Sequence, residues 1–179
     1  MDSLARTLFD QARAGDRDAY DRLFGLHVDR ALLYTRARLG PKLRNRLDSG
    51  DVLQEACLAA HQAFDRFEYI DDGAFLRWLC RIIDNRIRDL GDRFAARKRQ
   101  PAEVPRSNPT GPGTNLDRAA HRAQIASALD ALADDHRLVL LYRFFEGLSA
   151  EETGARMGRS AGAVRKLTAR ALTELGKQL

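Results

Sequence analysis

Cysteine is scarce in this chain: of 179 residues only Cys57 and Cys80 are cysteines, with no CxxC pair and no ladder of further thiols. A disulfide framework therefore has no basis, and both residues suit a reducing compartment as small core side chains. Long apolar runs are also missing. No stretch approaches the roughly 18 to 20 residues of a membrane span, and the opening MDSLARTLFD lacks the basic region and apolar core of a secretion signal. The expectation is a cytoplasmic protein without membrane insertion. The four histidines form no HExxH or other short-spaced cluster, and neither a GxxxxGKS/T phosphate loop nor a GxSxG nucleophile motif occurs. No catalytic residue, metal site or cofactor is expected, and the chain reads as something other than an enzyme.

Alternating runs of β-branched residues are rare, so what remains is helical periodicity and an all-α fold. The content of 44% hydrophobic residues suffices for a core, while 30 Lys and Arg against 25 Asp and Glu give a net charge of only +5. Acidic and basic groups must therefore be segregated before either makes a strong field. Helical patterns run from Ser3 to Ala14, then past Gly15 through Leu23, Phe24 and Val28 to a stop at Gly40-Pro41, with a short helix at Leu43 and Leu47. From Asp51 to Phe67, Leu53, Cys57, Ala60, Phe64 and Phe67 recur at steps of three and four and make a core stripe. Asp51, Glu55, Leu58, Gln62 and Asp65 recur likewise on the remaining face, a second stripe that is acidic and partly apolar and open to a partner.

After a polar loop from Glu68 to Gly73, the helix from Ala74 to Phe94 carries Arg77, Arg81, Arg86, Arg88 and Arg93 along its length. Tyr69 and Trp78 lie beside these cations, and unpaired bases stack on aromatics while cations hold the backbone. Tyr69, in the polar loop, is the better candidate for exposure. Four of the five prolines, with Gly111 and Gly113, fall between Lys98 and Asn115. That composition predicts a tether, hence two small helical domains, 1–97 and 116–179, joined by a flexible linker over 98–115.

In the second domain, Asp134 or Asp135 caps a helix carrying Val139, Leu140 and Phe144. Ser149 and Glu152 then form a capping box, and Gly154 permits close helix approach. Gly158 turns the chain, and Ser160 caps a basic helix. Leu148, Met157, Val164 and Leu167 supply the buried surface of this helix-turn-helix; Thr153 is buried there if its hydroxyl bonds to the preceding helical carbonyl. Arg159, Ser160, Arg165, Lys166, Thr168 and Arg170 surround the second helix, where they meet bases or phosphates of duplex DNA.

Taken in order, four segments resemble bacterial RNA polymerase sigma factors of the sigma-70 family, in the compact extracytoplasmic-function type. They are Asp51-Val-Leu-Gln-Glu-Ala-Cys-Leu-Ala-Ala-His-Gln-Ala-Phe-Asp-Arg-Phe67, Phe75-Leu-Arg-Trp-Leu-Cys-Arg-Ile-Ile-Asp-Asn-Arg-Ile-Arg-Asp89, the pair Leu129-Asp-Ala-Leu132 and Leu138 to Ser149, and the helix-turn-helix. The resemblance implies a monomer in a holoenzyme that directs transcription initiation, with core RNA polymerase, promoter DNA and an anti-sigma protein as partners. It assigns Asp51, Gln54, Glu55, Leu58 and Gln62 to polymerase. Tyr69, Trp78, Asn85, Arg86 and Arg88 go to the promoter element near minus ten, and the basic helix to duplex near minus thirty-five. Two other classes compete: a DNA-binding regulator that is not a polymerase subunit, and an all-α interaction module whose arginines bind an acidic protein.

Overall fold

The computed structural model describes residues 3–97 and 116–179, and the expected linker, 98–115, lies outside the described residues. Among the described residues every regular element is helical. Helix α1 (Leu4–Arg13) starts at Ser3, whose hydroxyl accepts the Arg6 amide at 3.2 Å, and it buries Leu8 and Phe9. Gly15, at φ 97°, turns the chain to Asp16, which caps α2 (Arg17–Arg44). The stop expected at Gly40-Pro41 is a break inside α2. Gly40 adopts φ 64° and ψ 171°, as a residue barred from the helical region by the following proline and free of a Cβ can do.

Helix α3 (Ser49–Ala63) is capped by Asp48 and gives way to a 3-10 turn at Phe64–Arg66, earlier than the periodicity suggests. Of the expected core stripe, Leu53, Ala60, Phe64 and Phe67 are buried and Cys57 is half-buried. Helix α4 (Ala74–Arg97) completes this half around Phe75, whose ring lies 5.0 Å from Phe24, 5.6 Å from Phe67 and 5.1 Å from His27.

His27 is buried with neither ring nitrogen hydrogen-bonded within the protein. Burial first, and then the nearby Arg30, hold its pKa below the ordinary value. The folded state thus resists a proton that the unfolded chain accepts near pH 6.5. Stability is complete above that pH and declines as pH falls below it. The unfolding midpoint should drop between about pH 7.5 and 5.5, and His27→Leu should reduce that drop; an equal drop in both proteins would refute the assignment.

The second half comprises α5 (Leu116–Ala131), α6 (Asp134–Leu140), a π-helical turn (Leu141–Phe145), α7 (Ala150–Met157) and α8 (Ala161–Gly176). The aspartates do not cap α6. Ala133 occupies that position, while Asp134 pairs with Arg137 and Asp135 with Arg159 inside the first turn, where their charge still complements the helix dipole. The wider π turn rotates Phe144 out of the core, leaving it 52% exposed.

The halves meet across α2. The Tyr34 hydroxyl, fully buried, lies 2.8 Å from Glu146 Oε1 and 3.1 Å from Asp84 Oδ1 and shares its proton between them. Arg38 donates to Asp84 at 2.7 Å and Arg156 pairs with Glu146. Each buried carboxylate thus has its own guanidinium, without which its desolvation would be uncompensated. Arg36 and Arg44 converge on Asp130, and Arg122 pairs with Asp29.

Candidate nucleic-acid and protein-docking surfaces

The helix-turn-helix is built as its sequence dictates. Ser149 Oγ accepts the Glu152 amide at 3.1 Å and Glu152 accepts the Ser149 amide at 2.7 Å, so two orphan donors are satisfied reciprocally. That bond holds the Glu152 carboxyl below its usual pKa. Gly158 takes φ 65° at the end of α7, and Ser160 caps α8 through the Ala163 amide. A Cβ on Gly154 would sit 2.4 Å from the Arg159 carbonyl oxygen, so only glycine lets the turn fold back this closely. Val164 and Ala171 are buried beneath α8, with Met157 and Leu167 half-buried. Thr153 is fully buried, but its hydroxyl lacks the carbonyl partner its sequence position suggested.

Arg159, Ser160, Arg165, Lys166 and Arg170 are exposed around α8. Thr168 is not part of this outer face: it is half-buried and its hydroxyl donates to the Val164 carbonyl at 2.8 Å, because a threonine mid-helix finds its acceptor one turn back. Arg165 pairs with Glu151 at 2.8 Å and Arg159 with Asp135, all four side chains being solvent-accessible. Exposed pairs of this kind are worth about 0 to 1 kcal/mol, so a phosphate can displace them.

On the other half, Asp51, Gln54, Leu58 and Gln62 share the outer face of α3, with Leu58 61% exposed, an aliphatic side chain left in water among polar neighbours. Glu55 is half-buried and pairs with Arg86, which reaches across from α4. That pair joins residues the sequence had assigned to different partners. Trp78, Asn85 and Arg88 stay on one side of α4, and Asn85 accepts a hydrogen bond from Arg88 at 3.3 Å. Trp78 is half-buried, its ring 4.7 Å from Phe67 and 5.5 Å from Phe75.

Tyr69 differs from expectation. It is half-buried and its hydroxyl donates to Asp72 at 3.0 Å. The neighbouring Ile70, 81% exposed, stands out instead. Sequence reasoning passed over Ile70, though it is the single aliphatic residue between Glu68 and Gly73. Arg81, read from the sequence as one of this helix's cations, was not singled out for the site. It is exposed three residues after Trp78 and four before Asn85, spacing that puts all three on one helical face. This ridge of ring, amide and cations suits a single strand with its bases unstacked.

The chain matches the family models Sigma-70 region 2 over residues 27–100 and Sigma-70, region 4 over residues 128–177. It is 37% identical over 174 residues to the ECF RNA polymerase sigma factor SigD of Mycobacterium tuberculosis, covering 94% of this chain and 81% of that protein. It is 31% identical over 180 residues to the RNA polymerase sigma factor NccH of Alcaligenes xylosoxydans, covering 97% and 93%. Among solved structures, CnrH in complex with the cytosolic domain of CnrY aligns with a TM-score of 0.52 at 27% identity, over 98% of this chain and 96% of that one.

Proposed function

This chain belongs to the sigma-70 family, among the extracytoplasmic-function RNA polymerase sigma factors, and from that premise we propose how its surfaces divide the work of promoter recognition. It is a non-enzymatic factor that binds core RNA polymerase and promoter DNA to direct transcription initiation. Its parts are domains 1–97 and 116–179 with 98–115 between them. The outer face of α3, with Asp51, Gln54, Leu58 and Gln62 and with Glu55 at its edge, docks on the polymerase. The α4 ridge of Trp78, Asn85 and Arg88, with Arg86 and the loop through Tyr69, takes the minus-ten element. Arg159, Ser160, Arg165, Lys166 and Arg170 take the minus-thirty-five duplex, with Thr168 supporting them from beneath.

The observation that carries this reading is the pairing, in one chain, of a duplex-reading helix pair with a separate aromatic and cationic ridge beside an acidic, partly apolar helix face. A regulator acting without polymerase would account for the first and leave the other two without a role. Opening DNA costs unpairing and unstacking, and contacts made only to the opened strand shift that equilibrium. Work on promoters implies a cytoplasmic protein, and no described helix is long and apolar enough to cross a membrane. The similar CnrH is solved with the cytosolic domain of CnrY bound, which supports a protein partner here too, the place an anti-sigma protein would fill.

Reconstituted transcription with core polymerase and a promoter library tests the assignment. Asp51→Ala combined with Leu58→Ala should weaken core association while leaving duplex binding intact. Arg165→Ala with Lys166→Ala should lower initiation from promoters that depend on the upstream element by about 10-fold or more, since each side chain that reads a base edge contributes about 1 to 3 kcal/mol. Undiminished holoenzyme formation in the first variant, or undiminished initiation in the second, would refute the corresponding surface.

A further inference from the structure

The loop between α3 and α4 is held from outside by a helix that the proposed function leaves idle. Arg13, at the end of α1, donates to the Asp65 carbonyl at 2.7 Å and to the Phe67 carbonyl at 3.4 Å. Two turns earlier, Arg6 donates to the Tyr69 carbonyl at 3.2 Å, and its guanidinium lies over the Tyr69 ring, 5.4 Å from the centroid. Ser3 closes the row: its hydroxyl lies 3.3 Å from the Tyr69 hydroxyl and donates to Asp72. Between these polar contacts the Phe9 ring packs on Phe64, Phe67 and Tyr69 at 5.7, 5.4 and 5.4 Å. From the other side, Arg77 donates to both oxygens of Asp71, at 2.8 and 2.6 Å.

From Tyr69 to Asp72, the tip of the loop, every residue except one is thus fastened by its side chain or its carbonyl. The exception is Ile70, the most exposed of the large apolar residues described. A segment that was merely a connection would have no need of carbonyl hydrogen bonds from a separate helix, nor would it present a bare aliphatic group to water. Apolar side chains presented in this way are used by DNA-distorting proteins as wedges against unstacked base steps.

We infer that α1 positions the α3–α4 loop for promoter opening, with Ser3, Arg6 and Arg13 as positioning residues and Ile70 as the side chain they present to the unpaired strand near minus ten. This rests on the assignment of the loop and the α4 ridge to that element. Arg6 and Arg13 act through backbone carbonyls, so they fix where Ile70 stands without touching DNA themselves. A loop held in its bound shape before contact loses less conformational freedom on binding.

The test uses the full chain assembled with core polymerase and a forked DNA whose non-template overhang is randomised around minus ten. Ile70→Ala should reduce retention of the forked DNA about 10-fold, the scale of a single base that is no longer packed against a side chain, and flatten the base preference of the overhang; so exposed a residue cannot act by unfolding the protein. Arg6→Ala and Arg13→Ala should do the same while leaving core association and binding to a minus-thirty-five duplex within about twofold, the spread of additive, independent sites. Arg13→Lys, able to reach one carbonyl, should restore part of the loss. In the Ile70→Ala background, Arg6→Ala should add little, because both changes act on the same interaction. Fully additive losses, equal losses at the duplex element, or unchanged overhang preference would each overturn the inference. Failure of the unaltered chain to join polymerase or to prefer forked DNA would instead defeat the functional assignment beneath it.

Discussion

Gly154→Ala is expected to destabilise the helix-turn-helix by about 1 to 3 kcal/mol, the usual range for a forced steric overlap in packed structure, and to abolish binding to the minus-thirty-five duplex. The added methyl carbon would lie 2.4 Å from the Arg159 carbonyl oxygen and 3.5 Å from the carbonyl carbons of Arg159 and Ser160. These are backbone atoms, so no side chain can swing aside to make room. The turn must open, which breaks the hydrogen bond from the Arg159 amide to the Gly154 carbonyl, now 2.9 Å long, and tilts α8 with Arg165 and Lys166 on it. The intrinsic helical advantage of alanine over glycine, about 1 kcal/mol, offsets only part of this. Gly25 supplies the contrast. It lies exposed within α2 with nothing near a hypothetical Cβ, so Gly25→Ala should stabilise the protein by roughly 0.5 to 1 kcal/mol. Denaturant midpoints of the two variants should move in opposite directions; a Gly154→Ala protein as stable as the parent would show that the close approach is not obligatory.

The second large effect is expected at Tyr34. Tyr34→Ala should cost about 3 to 5 kcal/mol, as for other large rings removed from a core. Both contributions are visible: the ring is fully buried and lies 5.8 Å from Phe145 of the second half, and the hydroxyl serves Asp84 and Glu146 together. Burial, with the two carboxylates beside it, pushes the phenol far above its ordinary pKa. Tyr34→Phe isolates the hydroxyl. Arg38 and Arg156 still attend the carboxylates, and the loss should fall to about 1.5 to 3 kcal/mol, the range for a hydrogen bond to a charged group. Comparable losses in the two variants would mean that the proton, rather than the ring, holds the halves together.

Local features were legible in the sequence where one residue's chemistry settles one conformation. Ser149 with Glu152, Ser160, Gly158 and Gly40-Pro41 each announced a cap, a turn or a break that the structure contains. The stripe on α3 was legible for the same reason, since helical spacing alone sorts Leu53 from Leu58. What could not be read depends on residues far apart in the chain. Nothing near Tyr69 tells that Ser3 and Arg6 will fasten it from the far end of the domain, and nothing near Glu55 announces Arg86. The same distance conceals the node where Tyr34 meets Glu146. The misreading at Asp134 and the outward turn of Phe144 arose from competition. Asp134 is pulled to Arg137, and a π turn, which helical periodicity does not anticipate, carries Phe144 outward.

Glu55 and Arg86 neutralise each other at the edge between the face proposed for polymerase and the ridge proposed for DNA. A polymerase cation that claimed the carboxylate would release a guanidinium to the nearest phosphate, and a phosphate that claimed Arg86 would return a free carboxylate to the polymerase. Because such linkage is reciprocal, each macromolecule would tighten the other's hold by an equal factor. Joining the polymerase would also add about one released counterion to the salt dependence of DNA binding. On that assignment the molecule off the enzyme would be a muted reader, and one shared charge would let assembly restore its hearing.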